Sequence, residues 1–164
     1  MIRLNRMTDY AIVVLGALAH KSGETVATAY LAELTGLKQP TVAKVAKALL
    51  AADLLVTQRG VNGGYRLVRP AHTISLVDIV EAMEGPIAVT DCVDGAPEPC
   101  AVSHCCFMAH SWNRVNLAIR AALEAVTLED LTDPAQLFPV RRPADQRPDT
   151  DHYEDKTAHT ERMN

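Results

Sequence analysis

Four cysteines, Cys92, Cys100, Cys105 and Cys106, lie within 15 residues of one another. In a reducing compartment structural disulfides are rare, so such a gathering points to metal binding or redox chemistry. Inert buried thiols are usually scattered through a core, whereas these sit in a stretch that also holds Gly95, Pro97 and Pro99. A thiol enzyme would use Cys105 or Cys106 as nucleophile and His104 or His110 as base. No oxyanion-stabilising motif accompanies them, so the chain is not read as an enzyme. A second set of reactive groups is cationic. Lys44 and Lys47 fall on one arc of a helical wheel with Thr41, Ala43 and Ala48, while Val42, Val45, Ala46, Leu49 and Leu50 share the opposite arc. One arc can pack; the other is basic, with small residues that let the backbone lie close to a surface. A recognition helix in a DNA major groove has those needs.

The net charge of -4 looks unsuited to nucleic acid, but it conceals a split. Residues 1–70 carry nine Lys/Arg against four Asp/Glu, and residues 71–164 seven against sixteen. A basic half followed by an acidic half implies separate surfaces with separate partners. Aromatics are only 4%, which argues against a β-sandwich or an aromatic-rich barrel. The longest apolar run, Ala11 to Ala19, is nine residues, and a membrane span needs about 20. Arg3 and Arg6 ahead of that run superficially suggest a secretory signal. Asp9 at its edge and the helical spacing of Met7, Ala11, Val14, Leu15 and Leu18 favour an ordinary amphipathic helix and a cytoplasmic protein.

The elements follow from punctuation. A first helix is expected over residues 7–20. Thr28 is placed to cap a short helix from Ala29 to Thr35 that Gly36 ends. Pro40 opens a third helix reaching about Ala52, which completes a helix-turn-helix. Residues 54–58 and 65–69 read as strands around a Gly-rich turn, a wing that sets Arg59 and Arg66 toward phosphates or a minor groove. Ser75 and Asp78 form a capping box for a helix that Gly85-Pro86 stops. Residues 87–105 have no clean period and read as a loop. A helix from about Phe107 to Val126 carries Met108, Trp112, Val115, Ile119, Ala122 and Val126 as an a/d seam. Such a seam after a DNA-binding unit suits pairing with a second copy. A turn of helix is expected at 128–131.

The fold class is therefore mostly α with a small β wing: a winged helix-turn-helix plus a long dimerisation helix. Its parts are a DNA-binding unit over 1–70, a connecting helix over 71–86, a cysteine-bearing loop over 87–106, and a dimerisation helix with its end over 107–132. Residues 133–164, with four prolines and many charges, read as a disordered tail. Gln39 and Thr41 suit base edges, and Lys44, Lys47, Arg59 and Arg66 suit phosphates.

The sequence resembles the bacterial winged-helix regulators of the IscR, NsrR and SufR type, the Rrf-two family. The matching stretches are Thr8–Ala11, Leu31–Leu37, Arg59–Leu67 and Ser75–Pro86, followed by the cysteine loop. Glu84–Ala88 and Trp112–Asn116 look most like the branch that regulates the SUF iron–sulfur assembly operon. The resemblance covers about residues 1–131. It implies a homodimeric repressor of iron–sulfur assembly genes whose DNA affinity follows the state of an iron–sulfur cluster, 2Fe-2S rather than 4Fe-4S. It implies three cysteine ligands, with Cys92 and Cys100 as the first two. Cys106 is the third, because it stands six residues before Trp112, as the family's third cysteine stands before its helix aromatic. The IscR branch has a histidine three residues after that cysteine; here the position is Ala109. The fourth ligand is then Asp9 of the partner subunit, His104, His110 or Cys105. The partners implied are double-stranded DNA and a second copy, with no membrane and no small-molecule substrate. The alternative is a DNA-binding regulator with a structural zinc site or no metal, answering nitric oxide or thiol oxidation. Seven residues between Cys92 and Cys100 suit zinc poorly.

Overall fold

Three helices and a hairpin build the first half of the chain. In the computed structural model the described residues run from 3 to 133, apart from 22, 61–62, 99, 103–105 and 107; residues 109 and 110 are described in backbone only. Helix α1, Arg6–Ala19, starts at Asn5, whose side-chain oxygen accepts the Met7 N–H at 3.1 Å. It buries Ala11, Val14, Leu15 and Leu18, the helical stripe its spacing predicts. Helix α2, Thr28–Thr35, ends at Gly36 with φ 69°, a left-handed stop that glycine makes cheap. Thr28 is the first helical residue and not the cap; Ala27 precedes the helix and offers no side-chain bond. The reason lies one residue earlier. Val26 exchanges two 2.9 Å backbone bonds with Tyr65, so the entry to α2 is fixed by a strand contact.

Helix α3, Gln39–Ala51, has Pro40 in its first turn and buries Val42, Val45, Ala46 and Leu49 against α1 and α2. Leu50 is only half-buried. Strands β1, Leu55–Gln58, and β2, Gly64–Leu67, pair antiparallel with Leu55 opposite Leu67 and Gln58 opposite Gly64. The Val26 contact adds a third rung-like segment beside β2. Gly64 is required by that approach: a Cβ there would stand 2.8 Å from the Ala27 nitrogen and closer still to the Val26 carbonyl.

A single 3-10 turn, Ala71–Thr73, leads to helix α4, Leu76–Glu84. The capping box is present in both halves. The Asp78 N–H donates to Ser75 Oγ at 3.2 Å, and the Ser75 N–H donates to Asp78 Oδ2 at 2.9 Å. Helix α5, Ala109–Glu124, is shorter than the expected 107–126. Residue 107 lies outside the described residues. At the other end the Val126 carbonyl accepts the Leu76 N–H at 2.8 Å and so leaves the helix. Helix α6, Leu128–Thr132, carries a second capping box from Thr127 and Asp130. Leu128 enters the main core, and α6 lies so close to α1 that a Cβ on Gly16 would meet Thr132 Cγ2 at 2.7 Å. A bridge between Ser75 and Thr127 joins the starts of α4 and α6. The tail over 134–164 lies outside the described residues. No helix among the described residues is long and apolar enough to cross a membrane.

Candidate nucleic-acid interface and cysteine loop

The buried arc of α3 fixes which side chains its other face presents. Gln39, Lys44 and Lys47 are exposed, Thr41 is half-buried, and Ala43 between them keeps the surface low. Arg59 follows β1 and Arg66 lies within β2, both exposed. Two ion pairs occur among the described residues, Arg69–Asp78 and Arg120–Glu81. Lys44, Lys47, Arg59 and Arg66 enter neither, so their charges face solvent uncompensated. Groups of this kind attract a polyanion by releasing its counterions.

The cysteine loop connects α4 to α5. Cys92, Cys100 and Cys106 are free and half-buried. The Cys100 N–H donates to the Asp91 carbonyl at 3.0 Å, which folds the loop back and brings Cys92 and Cys100 together. The Cys92 thiol is pushed up from its ordinary value, first by a hydrogen bond with Cys100, then by partial burial and the nearby charges of Cys100 and Cys106; Thr90 pulls the other way. Three soft sulfur donors on one folded loop are the chemistry that thiophilic iron requires. Among the described residues, no three His, Cys, Asp or Glu side chains converge tightly enough to hold a metal ion. Asp9 is exposed in the first turn of α1 and joins no such group among the described residues. His104 and Cys105 lie outside the described residues, and His110 is described only as part of α5.

Residues missed in the sequence hold this loop in place. Asn116 is buried; it accepts the Val89 N–H at 3.2 Å and donates to the Ile87 carbonyl at 2.9 Å. Asn113 accepts the Asp94 N–H at 2.9 Å and donates to the Asp94 carboxylate at 2.9 Å. The two asparagines, three apart on α5, thus grip the chain on both sides of Cys92. Asparagine is a poor helix former because its side chain competes for backbone bonds. Two of them inside one helix were the available signal. Farther along α5, Arg120 reaches Glu81 of α4 through both guanidinium nitrogens. That bond pushes the Arg120 guanidinium still higher, so Arg120 stays charged at any physiological pH.

Comparison with known proteins fits this architecture. Residues 4–134 match the family model described as "Rrf2: Iron-dependent Transcriptional regulator". The HTH-type transcriptional regulator NsrR of Oceanobacillus iheyensis is 34% identical over 131 residues, covering 79% of this chain and 89% of that protein. Among solved structures, CymR (YrzC), the global cysteine regulator of B. subtilis, superposes with a TM-score of 0.62 at 27% identity, over 80% of this chain and 97% of the other. The IscR structure from T. potens shares the fold, with a TM-score of 0.59 at 23% identity over 87% of this chain and 94% of that one. These relatives are regulators and not enzymes, which removes the thiol-enzyme reading. With its winged helix, uncompensated cations and cysteine loop, this chain belongs to the Rrf2 family of transcriptional regulators.

Proposed function

We propose that the protein is a homodimeric repressor of iron–sulfur assembly genes that works in the cytoplasm and binds DNA according to the state of an iron–sulfur cluster. The observation that carries the reading is the pairing of Cys92 with Cys100 on a loop that also holds Cys106, in a family described as iron-dependent. Cys92, Cys100 and Cys106 would supply the thiolates. The fourth ligand would be Asp9 of the partner subunit, His104, His110 or Cys105. When bound, a cluster of the 2Fe-2S type supplies a centre whose presence and charge follow iron supply and oxidation. The chain's own residues then do the reading. Gln39 and Thr41 face base edges, Lys44 and Lys47 meet phosphates beside them, and Arg59 and Arg66 serve the wing.

A second copy is supported by α5. Met108, Trp112 and Val115 of the expected seam are 38%, 37% and 44% exposed. A helix with so apolar a face outside the core calls for a partner, and a twofold pair would set two recognition helices about 34 Å apart on one side of the duplex.

Anaerobic purification with iron and sulfide analysis and a visible spectrum tests the cofactor. A brown or red protein with both elements is expected, and Cys92, Cys100 and Cys106 each changed to Ser should remove the colour. Colourless material holding zinc or no metal overturns the reading. Binding to genomic DNA fragments retained by the loaded protein is then compared with and without cluster; equal affinity and equal site choice end the sensing idea.

A further inference from the structure

Helix α4 carries three carboxylates at successive steps of three, and each reaches a different element. Asp78 holds Arg69 at 2.6 Å, two residues beyond the end of β2. Glu81 holds Arg120 of α5. Glu84 accepts the Asn5 N–H at 2.7 Å and the hydroxyl of buried Thr8 at 2.5 Å, at the start of α1. Through Ile79, with Ala82 and Met83 packed beside it, α4 is also rooted in the core it shares with α1 and α3. It is therefore part of the DNA-binding body: Asp78 and Glu84 tie it to that body, and Glu81 reaches outward to α5.

Helix α5 belongs to the other side. Asn113 and Asn116 bind the backbone around Cys92, so a change in loop shape pulls on α5. Among the described residues, the polar contact from α5 to the DNA-binding body is Arg120 with Glu81. We propose that the Glu81–Arg120 pair is the positioning link through which the cysteine loop sets the placement of the recognition helix and wing. The inference rests on the function proposed above, and it assigns roles to Asn113, Asn116, Arg120 and Glu81 that the cysteines alone do not explain. Coupling of this kind requires an element that both sites bias, and it acts in both directions. The two side chains are 40% and 32% exposed. An exposed pair adds little to stability, so the fold should survive its loss.

The test uses full-length protein with Arg120→Gln, Glu81→Gln and the double exchange Glu81→Arg with Arg120→Glu. Each is loaded anaerobically and compared with cluster-free protein on one retained genomic DNA fragment. The single variants should keep wild-type iron and sulfide content, while the ratio of loaded to cluster-free affinity falls at least fivefold toward one. The double exchange should recover a good part of that ratio. Single variants that keep the wild-type ratio overturn the link, as do variants that lose the ratio only because they lose the cluster. A second arm needs no iron. In cluster-free protein, amide exchange over residues 87–102 should respond to added DNA in the wild type and not in Arg120→Gln. An equal response in both, or none in the wild type, overturns the link. Iron-free wild-type protein would instead bring down the proposed function, and the exchange arm would still decide the link.

Discussion

Lys44 and Lys47 are exposed on α3 without an acid beside them, whereas Arg69 is held by Asp78. The difference predicts their behaviour in salt. Lys44→Ala and Lys47→Ala should each lower the slope of log affinity against log salt by about 1, because each removes one phosphate contact. Arg69→Ala should leave that slope nearly unchanged. Gln39→Ala and Thr41→Ala should act differently, with a loss of about 1–3 kcal/mol at a particular base pair and relaxed choice there. Titrations of DNA binding across salt and across single-base variants separate the two classes. The exposure of Lys44 and Lys47 was legible in the sequence, because a wheel that buries Val42, Val45, Ala46 and Leu49 leaves the lysines no other direction. The grip of Asn113 and Asn116 on the cysteine loop was not legible. Their spacing is visible, but their partners, Ile87, Val89 and Asp94, are named only once the loop is folded back on α5.

Among the elements, α6 depends on its cap most. It has five residues, too few to persist alone, and Thr127 and Asp130 exchange bonds across its first turn. Thr127→Ala should destabilise the protein by about 1 kcal/mol, read from denaturant unfolding. Asp130 is lowered from its ordinary value, first by the backbone N–H of Thr127, then by its hydroxyl, with desolvation opposing. A depressed carboxylate stabilises fully above its unfolded value, about 3.9, and the contribution is lost as pH falls through the lower folded value. The melting difference between wild type and Asp130→Ala should therefore be largest near neutral pH and shrink in acid; a difference that grows in acid would refute this cause. A turn of helix at 128–131 was legible in the sequence, but its capping box was not read, although Thr127 and Asp130 repeat the spacing of Ser75 and Asp78. The bridge from Val26 to Tyr65 left no local mark at all, since pairing between distant segments is set by the tertiary fold.

At the level of the whole molecule, the apolar face of α5 and the charge split belong to one arrangement. The basic half presents α3 and the wing; the later half presents a helix whose Trp112, Val115 and Leu117 stay exposed at 37%, 44% and 64%. Val115→Glu should shift the protein toward monomer in sedimentation velocity and weaken DNA binding, with thermal unfolding of the separate subunits little changed; an unaltered sedimentation profile would remove α5 from the interface. The heptad spacing exposed this seam in the sequence, but not the exposure of Leu117, which lies on another face of α5. The bridge between Ser75 and Thr127 has a further consequence. It ties down both feet of the segment between them, with Leu76 bonded to Val126 and Leu128 bonded to Ile74. Damage that melts the sulfur-bearing limb would release a tethered bight while the trunk stays intact, and a tether of fixed length recloses at small entropic cost. Such a polypeptide keeps its trunk folded while the limb comes and goes, which spares it global unfolding each time the limb melts.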